Sequence, residues 1–176
     1  VYASLIDSTT YVGMSQCRLC HESIYNTYIE TGMGKSFDVA SHKKSSARFD
    51  QHALVYDKFR DFYYEPFWDG DSLKFMEFRL EGKDTVHKRI ETINYIVGSG
   101  QHTNSHIFNT NNFLNQAPMT FYTQKGQWDL PPGFENGHNS RFNRLIGLEC
   151  MTCHNGYPKF ELGSENKFTE IKNGID

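Results

Sequence analysis

Cys17-Arg-Leu-Cys20-His21 and Cys150-Met-Thr-Cys153-His154 hold all four cysteines of the chain in two identical frames. C-x-x-C-H is the attachment pattern of haem c. Two thiols three residues apart on a forming helix can reach both vinyl groups on one edge of a porphyrin, and the next residue supplies a proximal imidazole to iron. Other readings of paired cysteines explain less. A four-cysteine zinc site needs no histidine after either pair. With 8 His in 176 residues, chance would place one after both pairs with a probability of about 0.002. A thioredoxin-like dithiol accounts neither for the duplication nor for the missing βαβ pattern, and a plain disulfide leaves the histidines unexplained. Two haem c groups are therefore the expected cofactors. Cys17, Cys20, Cys150 and Cys153 would be the tethers, and His21 and His154 the proximal ligands.

Composition agrees with that expectation without requiring it. Apolar residues make up 38% of the chain and aromatics 15%, so the core is thin in aliphatics and rich in rings. Rings pack well against a flat macrocycle, although an aromatic-rich β-sheet has the same composition. A net charge of −3 offers no basic surface for nucleic acid. No apolar run approaches the roughly 18 residues that a membrane-spanning helix needs. Val1-Tyr-Ala-Ser-Leu-Ile lacks the basic and apolar regions of a signal peptide. Haem c attachment needs reduced thiols and an exported apoprotein, so the expected location is the bacterial periplasm or cell exterior.

Outward from the first motif, Ser15 to Thr31 reads as a helix with Ser15 as N-cap. Ile24, Tyr25, Tyr28 and Ile29 recur at helical spacing, and Gly32 and Gly34 end it. Residues 35–52, with Ser41-His-Lys-Lys-Ser-Ser46, read as an exposed loop. Beyond Ala53 the period shortens. Leu54, Tyr56, Phe59, Phe62, Tyr64 and Phe67, then Leu73, Phe75, Phe78 and Leu80, flank Trp68-Asp-Gly-Asp71, a hairpin turn. Thr92-Ile-Asn-Tyr-Ile-Val97 is a further strand. Asn-rich residues 108–115 and the turn at Pro131-Pro-Gly133 read as loop, and a second helix is expected from about Ser140 into the Cys150 motif.

Tyr11-Val-Gly-Met-Ser-Gln-Cys-Arg-Leu-Cys-His-Glu-Ser-Ile-Tyr25 resembles the opening of multihaem cytochromes related to the tetrahaem cytochrome of ammonia oxidisers. Tyr95-Ile-Val-Gly-Ser-Gly-Gln-His102, the Pro118 and Trp128 region, Pro132-Gly133 and Cys150-Met-Thr-Cys-His-Asn155 are similar to a branch in which the cytochrome module precedes tetratricopeptide repeats. The resemblance covers most of residues 11–176. It implies that Asn173-Gly-Ile-Asp176 leads into a third C-x-x-C-H, so that 1–176 is a single dihaem domain at the N-terminal end of a longer multihaem protein. Its implied partners are redox proteins or further haem domains.

The sixth position on each iron is open to His42, His52, His87, His102, His106 or His138, or to Met14, Met33, Met76, Met119 or Met151. Met33 stands where the related cytochromes place a distal His. On a continuous helix it would lie about 18 Å beyond His21, so it is assigned to a neighbouring iron, with a gap-filling core methionine as the alternative. His102 follows Gly98-Ser-Gly100, a flexible backbone able to approach a macrocycle, and is the leading distal candidate for the His154 haem. His138 is second and His52 third, while His42 and His87, beside lysines, read as solvated. The expected fold is α+β: haem-bearing helices and long loops, with a small antiparallel sheet inserted between the motifs. The expected function is one-electron transfer. The rival is a haem reductase or oxidase of a small nitrogen or sulfur compound at a five-coordinate iron.

Overall fold

The computed structural model describes residues 12–50, 53–156 and 158–172. Its frame is made of hairpins. Phe62–Asp69 (β3) and Ser72–Glu81 (β4) alternate between buried and part-exposed positions, the period of a half-buried strand. They meet at Asp69↔Ser72, with Gly70 at φ +59 supplying the left-handed residue that a tight hairpin needs. Val55–Asp57 (β2) adds on one side and Asp84–Thr92 (β5) on the other, giving a four-stranded antiparallel sheet in the order β2-β3-β4-β5. The hairpin expected at Trp68-Asp-Gly-Asp71 lies here.

A larger antiparallel sheet packs against it. Phe37–Val39 (β1), Tyr95–Val97 (β6), Thr103–Thr110 (β7) and Phe113–Tyr122 (β8) run in the order β1-β6-β7-β8. Gln127–Asp129 (β9) and Arg144–Leu145 (β10) share the far edge of β8, pairing with Thr120 to Tyr122 and with Asn115 to Gln116 respectively. Tyr64, Leu73 and Phe75 from the first sheet meet Ile96, Phe108, Ala117, Met119, Phe121 and Trp128 from the second in one core. There the Phe75 ring meets Trp128 edge-on at 5.6 Å.

The expected α+β frame of haem-bearing helices is overturned. Strand makes up 41% of the described residues and helix 14%, in two helices. Three local readings fail for physical reasons. The Asn-rich stretch 108–115 is a hairpin: Asn111 and Asn112 take φ +52 and +71, and asparagine is among the few residues that tolerate two successive left-handed positions. The helix expected from Ser140 is confined to Leu148–His154 (α2). Before it, Arg141 sits at φ +59 and Arg144 and Leu145 pair with β8. Within 35–52, Phe37 is 1% exposed and starts strand β1. The first helix holds as Met14–Tyr28 (α1), with Gly13 rather than Ser15 at its N-cap.

A buried charge cluster ties the four-stranded sheet to the segment that precedes α2. Glu77 on β4 is wholly buried. Arg141 donates to it through Nε at 2.8 Å and also through Nη2, and the His87 Nε2 lies 3.0 Å from its Oε1. Burial pulls the Glu77 pKa up, but bonds from Arg141, His87 and Tyr64 outweigh it and hold the carboxyl below its ordinary range. Next to it, buried Asn139 donates to Asp57 at 2.8 Å and to the Tyr64 hydroxyl at 3.1 Å. Removing one partner of a buried pair strands the other charge. Arg141→Ala should therefore lower stability by about 3 kcal/mol in urea unfolding, near the low end of that class because the Arg141 side chain keeps 33% exposure. A loss under about 1 kcal/mol would show that water replaces the guanidinium.

Candidate functional site

The two motifs are held in contrasting ways. No residue of α1 is buried: Leu19 and Ile24 are 78% and 65% exposed, and Cys17, Cys20 and His21 all face outward. Met14, Cys17, His21, Ile24, Tyr25 and Tyr28 form one stripe along the helix and line a cavity of about 110 Å³. His21 leaves helical geometry at φ −125, ψ 41, so the helix bends at the motif's histidine. Its C-terminal end is fixed by close packing, because a Cβ on Gly34 would run into the Tyr28 carbonyl and the Ile29 Cα.

By contrast, α2 is docked on the outer face of the six-stranded sheet. Met151 is 1% exposed and packs with Phe37, Ile107, Leu114, Ile146 and Phe168, with Cys150 at the margin. Behind the motif, Asn155 is buried and exchanges two hydrogen bonds with the backbone of Lys172, at 2.8 and 3.0 Å. Cys150 and His154 line a cavity of about 180 Å³ floored by Val97, Ser105, Ile107 and Gln116. His154 is half-buried, and its Nδ1 is buried with no hydrogen-bond partner. Burial first, and then the Lys44 charge, hold its pKa below the ordinary imidazole value. It is thus neutral at neutral pH, the form that can ligate a metal. An orphaned ring nitrogen beside a cysteine and the apolar Val97, Ile107 and Ile146 fits a haem ligand, as does the uncovered apolar stripe of α1. Among the described residues no three His, Cys, Asp or Glu cluster to hold a metal ion, so the two cysteine pairs are not assembled into one Cys₄ zinc site.

The first of these cavities shares one lining residue with another space. Tyr25 also lines a third cavity of about 740 Å³ with Ile29, Phe37, Lys43 and Lys44. Phe37 packs in the Met151 core, and Lys44 acts on His154. Motifs far apart in sequence therefore open onto neighbouring spaces.

The distal candidates scatter. His102 is exposed in the β6–β7 connection, where its Nδ1 lies 2.7 Å from the Gln124 Nε2. His138 is exposed on a loop whose Gly137 borders Phe59, beside the four-stranded sheet and away from α2. Met33 is 54% exposed in the turn after α1. That helix stops at Tyr28, so the continuous helix assumed for Met33 does not exist, and neither does a core setting for its sulfur. His42 stacks on Trp68 at 3.8 Å and His87 joins the Glu77 cluster, so neither is simply solvated. His52 lies outside the described residues.

His106 is wholly buried between Phe75 and Trp128, with its Nδ1 3.1 Å from the Met119 carbonyl. It faces the inter-sheet core, on the opposite side of β7 from Ser105 and Ile107. Sequence reasoning missed Lys44 and the cavity floor, because Lys44 lies in a polar run that looks solvated and the floor comes from three strands. No family model, curated protein or solved structure matches this chain, so the reading of the site rests on its own residues.

Burial, offset in part by the Met119 bond, pushes the His106 pKa down to about 4. An unfolded histidine binds its proton below about pH 6.5. Between those values the unfolded chain carries more protons, so stability is full above about pH 6.5 and falls as pH drops toward 4. His106→Gln should flatten that part of the stability profile by chemical unfolding. A slope kept in full would assign it to other groups.

Proposed function

We propose that this chain is a c-type cytochrome module that holds two haems and passes single electrons between them and outside redox partners. One observation carries the reading: at each motif, the first cysteine and the following histidine line the same cavity, Cys17 with His21 and Cys150 with His154. Each thiol would add across one vinyl group, forming a C–S bond while its hydrogen goes to the vinyl carbon, so no atom is lost. The haem iron, when bound, supplies a one-electron ferric–ferrous couple. The chain's share is to tether and, at α2, to hold the His154 imidazole neutral for ligation and to keep water off the sheet-side face with Val97 and Ile107. Haem attachment of this type places the protein in the periplasm or outside the cell. No helix among the described residues is long and apolar enough to cross a membrane.

Protein made in a strain with a haem c maturation system should keep haem stain on a denaturing gel. Its intact mass should exceed the 20.4 kDa polypeptide by two haems, and Cys150→Ala/Cys153→Ala should remove one of them. A mass equal to the bare chain would end this reading.

His102 remains the proposed distal ligand of the His154 iron, since its bond at Nδ1 leaves Nε2 open; His138 follows it, and Met33 is proposed for a neighbouring iron. His102→Ala should turn one low-spin haem high-spin by electron paramagnetic resonance. The same conversion produced by His138→Ala alone would reverse the order.

A further inference from the structure

Lys44 is placed unlike the other lysines of its run. Its ammonium donates to the Gly98 carbonyl at 2.8 Å and to the Lys35 carbonyl, so a half-buried cation is fixed by backbone rather than left on a mobile stem. Gly98 directly follows Val97, which shares the Cys150 and His154 cavity, and Val97 pairs with Phe37 in the β1–β6 register. The charge thus sits at the wall between the 740 Å³ cavity and the space that His154 faces. One carboxylate faces it. Glu30 is taken by Lys35 at 2.5 Å, leaving Asp38 as the acidic neighbour of both Lys43 and Lys44 on that wall.

We propose that Lys44 is a positioning residue for redox potential: a backbone-anchored positive charge beside His154 that favours the reduced state of the haem tethered at Cys150 and Cys153. The inference rests on the two-haem reading above. Reduction removes one positive charge from the iron, so a fixed cation nearby stabilises the ferrous form, and low-dielectric surroundings strengthen the effect. The first motif reaches the Lys44 cavity through Tyr25, one helical turn beyond His21, so its haem should feel the charge less.

The test is a mediated redox titration of the holoprotein and its Lys44→Met, Lys44→Gln and Lys44→Arg variants, with haem content taken from intact mass. The expected result is two haems in every variant. One of the two titration waves should move to lower potential in Lys44→Met and Lys44→Gln, the other should stay in place, and Lys44→Arg should keep the native value. Lys44→Gln retains a donor for one carbonyl, so it covers the case in which Lys44→Met does not fold. Two haems with both waves unmoved would overturn the role of Lys44 and leave the functional reading standing. So would equal shifts of both waves, or a shift that Lys44→Arg fails to restore. Native protein carrying no haem would overturn both.

Discussion

The six-stranded sheet has to bury both of its faces, and β7 shows how one strand meets that demand. Ile107 and Phe108 are adjacent and both buried, yet they point to opposite faces because side chains alternate along a strand. Phe108, with His106, enters the core shared with the four-stranded sheet. Ile107, with Ser105, forms the floor beneath α2. One sheet therefore serves as the inner wall of a β-sandwich and as the platform for the second motif. It also explains how a seven-residue helix, too short to be stable alone, is held in place: Met151 plugs into the outer face of the sheet, and Asn155 locks the chain that follows.

The two motifs share a frame and little else. At α2 the imidazole is half-buried, neutral and faced by fixed strands. The other histidine, on α1, lies at a bend in a helix with no buried residue, held mainly by its C-terminal end around Gly34. Regions with few buried apolar contacts open at low free energy, so α1 should be the more mobile element. A large apolar group on the Met14-to-Tyr28 stripe would supply the burial that this helix otherwise lacks. Two chemically equal motifs thus offer different environments, and on the proposed two-haem reading that difference would set the two potentials apart.

The buried polar groups fall into two kinds. The Glu77, Arg141, Asn139 and Asp57 cluster joins the four-stranded sheet to residues 139–141 and so fixes the path by which the chain crosses to β10 and α2. Arg141 accepts a left-handed backbone there, a conformation that non-glycine residues adopt at a cost, and its two bonds to Glu77 offset that cost. His106 differs: it is a neutral core ring bonded once to Met119 and packed on two aromatic faces. The same residue type, eight times in the chain, stands in both motifs, sits within hydrogen-bond distance of Glu77 at His87, stacks at the surface at His42 and fills the core at His106.

By itself the sequence determined what short range controls. The C-x-x-C-H frames follow from the spacing of two thiols and one imidazole, the existence of α1 from helical periodicity, although it ends at Tyr28 and not at the expected Thr31, and the β3–β4 hairpin from two aromatic-rich runs flanking the turn at Gly70. Asn111-Asn112 was legible in the same terms, since paired asparagines suit a left-handed turn, but the polarity of the stretch suggested a loop. Tertiary structure alone decided the rest. Strand order, the burial of His106, the reach of Lys44 to the carbonyl of Gly98 and the seating of α2 depend on pairings between residues dozens of positions apart. A sheet edge or a cavity wall exists only after those strands have met. The polar run around Lys44 looks solvated in one dimension because the groups that bury it are supplied by β6 and by the turn after α1.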